Sequence, residues 1–176
     1  MTTTLFTNAH IATGEPGSTA ASTLPLQDIL VTDGVFTAFG PGLAQQYEAQ
    51  GGDLAAIEVV DLGGKLVCPP FCDTHLHLDY VFTARKPGAV NESGTLFEGI
   101  QRWSETKSDL TVDEIKQRAK IGIKKEMLHG VQLIRSHADV TDPNLTSLKA
   151  LLELKEELKD TVTLQIVSFP QEGMYS

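Results

Sequence analysis

Two histidines one residue apart, His75 and His77, stand in the segment PPFCDTHLHLD (Pro69–Asp79) beside the carboxylates Asp73 and Asp79. In an extended chain the side chains at i and i+2 leave the same face, so the two imidazoles converge, and Asp73 and Asp79 share their parity. Neutral imidazole nitrogen suits zinc or iron, and a nearby carboxylate can accept the other ring N–H and fix the tautomer. The chemistry this points to is a divalent metal held by His75 and His77, with Asp73 and Asp79 as partners of those ligands. His137, in the run SHAD, ends another apolar stretch; it can hydrogen-bond the metal's ligands or a substrate, or serve structure alone. Asp139 and Asp142 read as loop and helix-cap residues, and His10 and His129 as surface or local packing residues. Glu172 has no independent case as an acid or base.

Those side chains need strands and helices to hold them. Leu66–Phe71, Val131–Ser136 and Val162–Phe169 are short apolar runs with the length of buried strands. A helix is expected from Gly94 or Thr95 to about Lys107, with Leu96, Ile100 and Trp103 on one side. A second opens on the capping box Thr111-x-x-Glu114, repeats Ile115, Ala119, Ile123 and Met127 every four residues, and stops at Gly130. A third has Asp142 as N-cap and Pro143 as first residue, with Leu145, Leu148, Leu152 and Leu158 marking one face. The resulting β-α-β-α-β order is an α/β arrangement, which implies parallel strands with right-handed crossovers. In such a sheet the carboxyl ends of the strands carry the active site, where the H-x-H pair would sit.

The first 64 residues differ in texture. They hold seven acids and no Lys or Arg, against 16 acids and 14 bases in residues 65–176, and nine of the 15 glycines. Short β-prone runs (Leu5–Ile11, Asp28–Thr32, Val35–Phe39, Ile57–Val60) alternate with breaks. Asp33-Gly34 signals a two-residue hairpin. Gly14–Pro25 reads as a polar loop, and Pro41–Gly52 as a connection with at most a short helix. The expected organisation is a β-rich region over residues 1–64 and an α/β region over 65–176.

A net charge of −9 over 176 residues argues against nucleic acid or an anionic membrane as partner, since both require clustered Lys and Arg. No apolar run approaches the ~18–20 residues of a membrane span. Cys68 and Cys72 fit neither a redox pair nor a zinc knuckle and are expected to be reduced and buried. The amino terminus lacks the basic and apolar stretches of a secretory signal, so cytoplasm is the expected compartment.

PPFCDTHLHLD resembles the first-strand signature of the amidohydrolase superfamily, in which Asp-x-His-x-His at the end of the first barrel strand supplies two ligands of a catalytic metal. The acidic, glycine-rich region ahead of it is similar to that superfamily's small β-sandwich. NESGTLFEGIQRW (Asn91–Trp103), RSHADVTDPNLTSLKALLELK (Arg135–Lys155) and LQIVSFPQEG (Leu164–Gly173) resemble the cytosine deaminase branch in the same order. The resemblance implies the amino-terminal part of a (β/α)₈ TIM barrel preceded by strands of a small β-sandwich. It also implies metal ligation by His75 and His77, a divalent iron or zinc cofactor, Gln171 bonded to the amide edge of a pyrimidine, and Leu96 lining the ring pocket. A carboxamide has the donor and acceptor that a neutral base edge requires.

The implied reaction is hydrolytic deamination of a free nucleobase, cytosine to uracil plus ammonia. A closed barrel takes ~250 residues, and the superfamily's later histidine, glutamate and aspartate elements have no counterpart here. The chain is therefore expected to be part of a longer enzyme, homo-oligomeric at full length, and to lack substantial deaminase activity by itself. Isoguanine, creatinine or a triazine are alternative substrates on the same scaffold. A non-catalytic α/β binding domain with structural histidines is the alternative from another class.

Overall fold

The computed structural model describes residues 2–12 and 25–173. The expected polar loop at Gly14–Pro25 lies, apart from Pro25, outside the described residues. Within them no helix is long and apolar enough to cross a membrane. The chain divides into two compact units, Met1–Pro69 and Pro70–Ser176.

In the first unit β1 (Thr3–Ile11), β2 (Leu26–Thr32), β3 (Val35–Gly40), β4 (Glu58–Asp61) and β5 (Leu66–Val67) form one mixed sheet of order β3-β2-β1-β4, with β5 also on β1. Asp33 and Gly34 turn β2 into β3, both at positive φ (50° and 78°), as a tight two-residue hairpin requires. The connection from β3 holds one short helix, α1 (Leu43–Ala49). One extra residue interrupts β1 between Phe6 and Ala9, where Asn8 takes φ 58°. The Asn8 and Leu43 backbone N–H groups donate to the two oxygens of Asp28, at 3.2 and 2.9 Å, and so fasten this bulge and the start of α1. Leu5, Ala9, Ile29 and Leu43 are the buried apolar residues among the described residues of this unit.

The run expected as one strand, Leu66–Phe71, is divided. Leu66–Val67 pairs in parallel with His10–Ile11, two prolines follow, and Phe71 opens β6 (Phe71–Leu76) in a second sheet. Pro69 and Pro70 donate no backbone hydrogen bond, so neither sheet can continue through them. The division accordingly falls after Pro69 and not after residue 64. Cys68 and Cys72 are free, but both are exposed and not buried as expected, because they flank this junction.

The second unit has three parallel strands in the order β6, β7 (Val131–Asp139), β8 (Thr163–Phe169). Its helices are α2 (Leu96–Lys107), α3 (Val112–Leu128) and α4 (Thr146–Glu157). The Thr95 hydroxyl caps α2 by accepting from the Glu98 N–H, and the Thr111–Glu114 box at α3 is formed in both directions. Gly130 leaves α3 at φ 86° and bonds back to the Met127 carbonyl. Ile115, Ala119 and Ile123 of α3 and Ala150, Leu151 and Leu154 of α4 pack with Ile134, Ala138 and Leu164 of the strands into one core.

α4 departs from expectation at two points. It begins at Thr146 after Leu145 in the left-handed region (φ 52°), and Asp142 caps it from four residues back through the Thr146 N–H at 2.9 Å. Its buried face is Ser147, Ala150, Leu151 and Leu154, whereas Leu145 and Leu152 are exposed. Six leucines between Leu145 and Leu158 allow more than one apolar face to be drawn, and the docking onto β7 and β8 selects one.

Candidate active site

Strand register sets the rim. Leu76 of β6 stands opposite Ser136, which pairs with Ile166; one step on, His137 meets Val167, and Asp139 meets Phe169. His75, His77, His137, Phe169 and the turn carrying Gln171 and Glu172 thus share the carboxyl ends of three parallel strands, the edge where ligands of α/β sheets bind.

A bulge between Asp73 and Leu76 breaks the simple alternation of β6. Asp73 uses it locally, its Oδ1 accepting from the His75 N–H at 2.9 Å. The imidazoles still converge, with His75 Nε2 3.3 Å from His77 Nε2. Two nitrogens at ~2.0–2.1 Å from one tetrahedral ion would stand about 3.3 Å apart, so the pair fits one edge of a coordination sphere. His77 Nδ1 lies 3.1 Å from the His137 carbonyl. A carbonyl can only accept, so Nδ1 carries the proton and Nε2 presents a lone pair. Burial pulls the His77 pKa below its usual value, and the neutral ring is the form that binds a cation. Among the described residues no set of three or more His, Cys, Asp or Glu side chains is arranged to hold a metal. The fit is therefore to two positions of a site.

His137 contributes its carbonyl to His77 and stacks its ring on His75, with centroids 4.1 Å apart. Its Nδ1 is buried without a partner among the described residues. Tyr80 stacks on the other side, 4.7 Å from His77 and 4.8 Å from Trp103.

Asp79 lies deeper than its sequence parity with the histidines suggests. It is fully buried, and its Oδ2 accepts from the Asp139 N–H at 2.9 Å while its Oδ1 accepts from the Tyr80 N–H. Burial, with the nearby charge of Asp139, raises its pKa to about 6. The same burial and the two acids push the Tyr80 phenol up to about 12.

Asp139, read from sequence as a loop residue, ends β7 at 1% exposure. Its Oδ2 accepts from Trp103 Nε1 at 2.7 Å and Lys107 Nζ at 3.2 Å, and its Oδ1 from the Thr141 N–H and hydroxyl. Burial alone would raise its pKa, but these four donors hold it below the usual carboxylate value. Lys107 also reaches Glu172 at 2.6 Å, which keeps the Glu172 carboxyl low. Nothing in the local sequence around Trp103, Lys107 or Glu172 signals this cluster, because the bonds from Trp103 and Lys107 to Asp139 and from Lys107 to Glu172 join residues 32 to 65 positions apart.

Tyr80, Leu96, Trp103 and Gln171 share a cavity of about 350 Å³ with Asn91, Gly94, Thr95, Gly99 and Ile100. The two substrate-site residues implied by resemblance, Leu96 and Gln171, therefore meet in one space. Leu96 is 73% exposed at its mouth, while Trp103 is buried at its wall. An aromatic and apolar lining with two carboxamides, Asn91 and Gln171, suits a flat, neutral ring with a donor and acceptor edge.

Residues 58–176 match the amidohydrolase family. N-isopropylammelide isopropyl amidohydrolase of Pseudomonas sp. (strain ADP) is 35% identical over 120 residues, 66% of this chain and 30% of that protein. Pterin deaminase of Rhizobium rhizogenes is 27% identical over 152 residues, 84% of this chain and 32% of that protein. Among solved structures, 5-methylcytosine deaminase from Klebsiella pneumoniae, liganded with 5-fluorocytosine, is similar at a TM-score of 0.79 and 40% identity, over 98% of this chain and 38% of that one. The chain spans about a third of the length of these proteins.

Proposed function

Because this chain belongs to the amidohydrolase family, we propose that it carries the first part of the active site of a metal-dependent hydrolase acting on C–N bonds of a free nucleobase, cytosine plus water giving uracil plus ammonia. On this reading residues 70–173 are the first three β/α units of an eightfold barrel, and the sheet of residues 2–69 belongs to a small β-sandwich. The parallel β6-β7-β8 order and the strand-end placement of the histidines support it. The observation that carries the proposal is the 3.3 Å approach of the two Nε2 atoms, with His77 Nδ1 tied back to a carbonyl.

His75 and His77 would hold the ion through Nε2. A divalent iron or zinc, when bound, supplies a Lewis acid that makes water nucleophilic near neutral pH. The His137 carbonyl fixes the His77 tautomer, and Asp73 fixes the backbone at His75. Asp79 secures the rim by accepting the Asp139 N–H. Gln171 would orient the base through its donor and acceptor, while Leu96, Tyr80 and Trp103 offer apolar walls that exclude water. A triazine ring is the second reading, supported by the likeness to the N-isopropylammelide hydrolase. It presents a similar alternating donor and acceptor edge.

Equilibrium dialysis against zinc tests the site directly. The protein is expected to retain zinc that His75→Ala and His77→Ala each weaken at least tenfold. Equal retention by both variants overturns the assignment. Competition between cytosine and a hydroxylated triazine for the cavity then separates the two substrate readings.

A further inference from the structure

Lys107, at the last turn of α2, has three N–H donors, and each has an acceptor: Asp139 Oδ2 at 3.2 Å, Thr141 Oγ1 at 2.6 Å and Glu172 Oε1 at 2.6 Å. Its side chain is only 12% exposed. Two of those acceptors lead to the cavity. Asp139 Oδ2 also holds the Trp103 indole N–H, and Glu172 adjoins Gln171 in a turn closed by the Gly173 N–H on the Pro170 carbonyl at 3.0 Å. One ammonium thus ties the indole wall of the cavity, on α2, to the turn after β8 that carries Gln171.

We propose that Lys107 is a positioning residue for base recognition: its contacts with Asp139 and Glu172 lock the turn bearing Gln171 at a set distance from Trp103. The proposal rests on the reading of this cavity as the base site. Glu172 is then neither acid nor base in the reaction but the anchor of its neighbour. Geometry favours this over a stabilising surface pair. An exposed Lys–Glu pair holds two flexible chains for little gain, whereas here the cation is shielded, all its donors are used, and a fully buried carboxylate stands at its centre. Misplacing a recognition group by about 1 Å can cost on the order of 10²-fold in a reaction that depends on orientation.

Trp103 is the only tryptophan, so its fluorescence reports the cavity without labelling. The test is a cytosine titration followed by that signal, with backbone ¹⁵N relaxation of Gln171, Glu172 and Gly173, on the intact protein and on Lys107→Met, Lys107→Arg and Glu172→Gln. Glu172 is exposed, so Glu172→Gln retains the fold even where Lys107→Met does not. The latch predicts that Glu172→Gln and Lys107→Met lower the order parameters of the turn from about 0.85 to below about 0.6. They should also weaken cytosine about tenfold, and Lys107→Arg should recover most of the affinity. Unchanged order parameters in Glu172→Gln overturn the proposal, and so does a loosened turn that binds cytosine as the parent does. Failure of the parent to bind cytosine overturns the nucleobase reading instead; relaxation then decides the latch alone, loosening supporting it and rigidity overturning it.

Discussion

Asp28 in the sheet of residues 2–69 is 8% exposed and accepts from two backbone N–H groups, those of Asn8 and Leu43. Asp139 in residues 70–173 is 1% exposed and accepts from an indole, an ammonium and Thr141. Asp28 bonds the bulge that adds one residue to β1 at Asn8. Backbone donors exist whatever the sequence, so Asp28 acts as a fastener of its own sheet. The indole and the ammonium must each be supplied by a chosen residue of another element, and Asp139 consequently joins β7 to α2 directly and, through Lys107, to the turn after β8. Breaking a buried ion pair by removing one partner is costly even where the pair itself adds little net stability. Of these two acids, the one met by the backbone organises its own sheet, whereas the one met by distant side chains joins the elements around the candidate site.

The contrast is broken most directly at Asp139. Asp139→Asn turns an NH2 toward two of the four donors that Asp139 accepts, at about 1–3 kcal/mol each, and leaves Glu172 as the remaining carboxylate on Lys107; it is expected to cost about 3–5 kcal/mol in urea unfolding. A loss below about 1 kcal/mol would make Asp139 no different from a surface pair. Asp28→Asn keeps one acceptor oxygen for two N–H donors and is expected to cost less, about 1–3 kcal/mol, with no effect on Trp103 emission. A smaller effect should follow from Thr111→Ala, which removes the cap of α3 and is expected to cost about 1 kcal/mol. This variant asks whether local backbone capping in the second unit behaves as it does in the first.

The last prediction concerns Glu98. The Ser93 hydroxyl, with the backbone N–H groups of Ser93 and Glu92, lowers its carboxyl to about 2 from the usual 4.5. A depressed folded pKa gives stability that is present above about pH 4.5 and lost as pH falls toward about 2. Amide shifts of Asn91–Thr95 should move through that acid window, and Glu98→Gln should remove the effect. A transition centred near 4.5 would show that Glu98 does not hold this loop.

Legibility from sequence followed range. The Thr111 box, the Asp33-Gly34 hairpin, the Gly130 stop and the helix at Leu96–Lys107 were readable because each depends on residues within a few positions. The approach of His75 to His77 was readable because it needs only two residues one position apart in an extended segment. The division of Leu66–Phe71 was not, since apolar composition does not say which of two sheets a strand joins. Nor was the depth of Asp79, because β6 ends at Leu76 and the turn after it does not keep the strand's parity.

By itself the sequence determined the kind of elements, their order, the nature of the likeness to amidohydrolases and the two imidazoles that converge. Only the tertiary structure decided which face of α4 is buried, that Leu96 and Gln171 share one cavity, and that Lys107 links Trp103 to the turn of Gln171. The reason is physical. Hydrogen bonds within a turn are selected by neighbours along the chain, whereas a contact between residues 32 or 65 positions apart exists only after the strands have chosen their order and register.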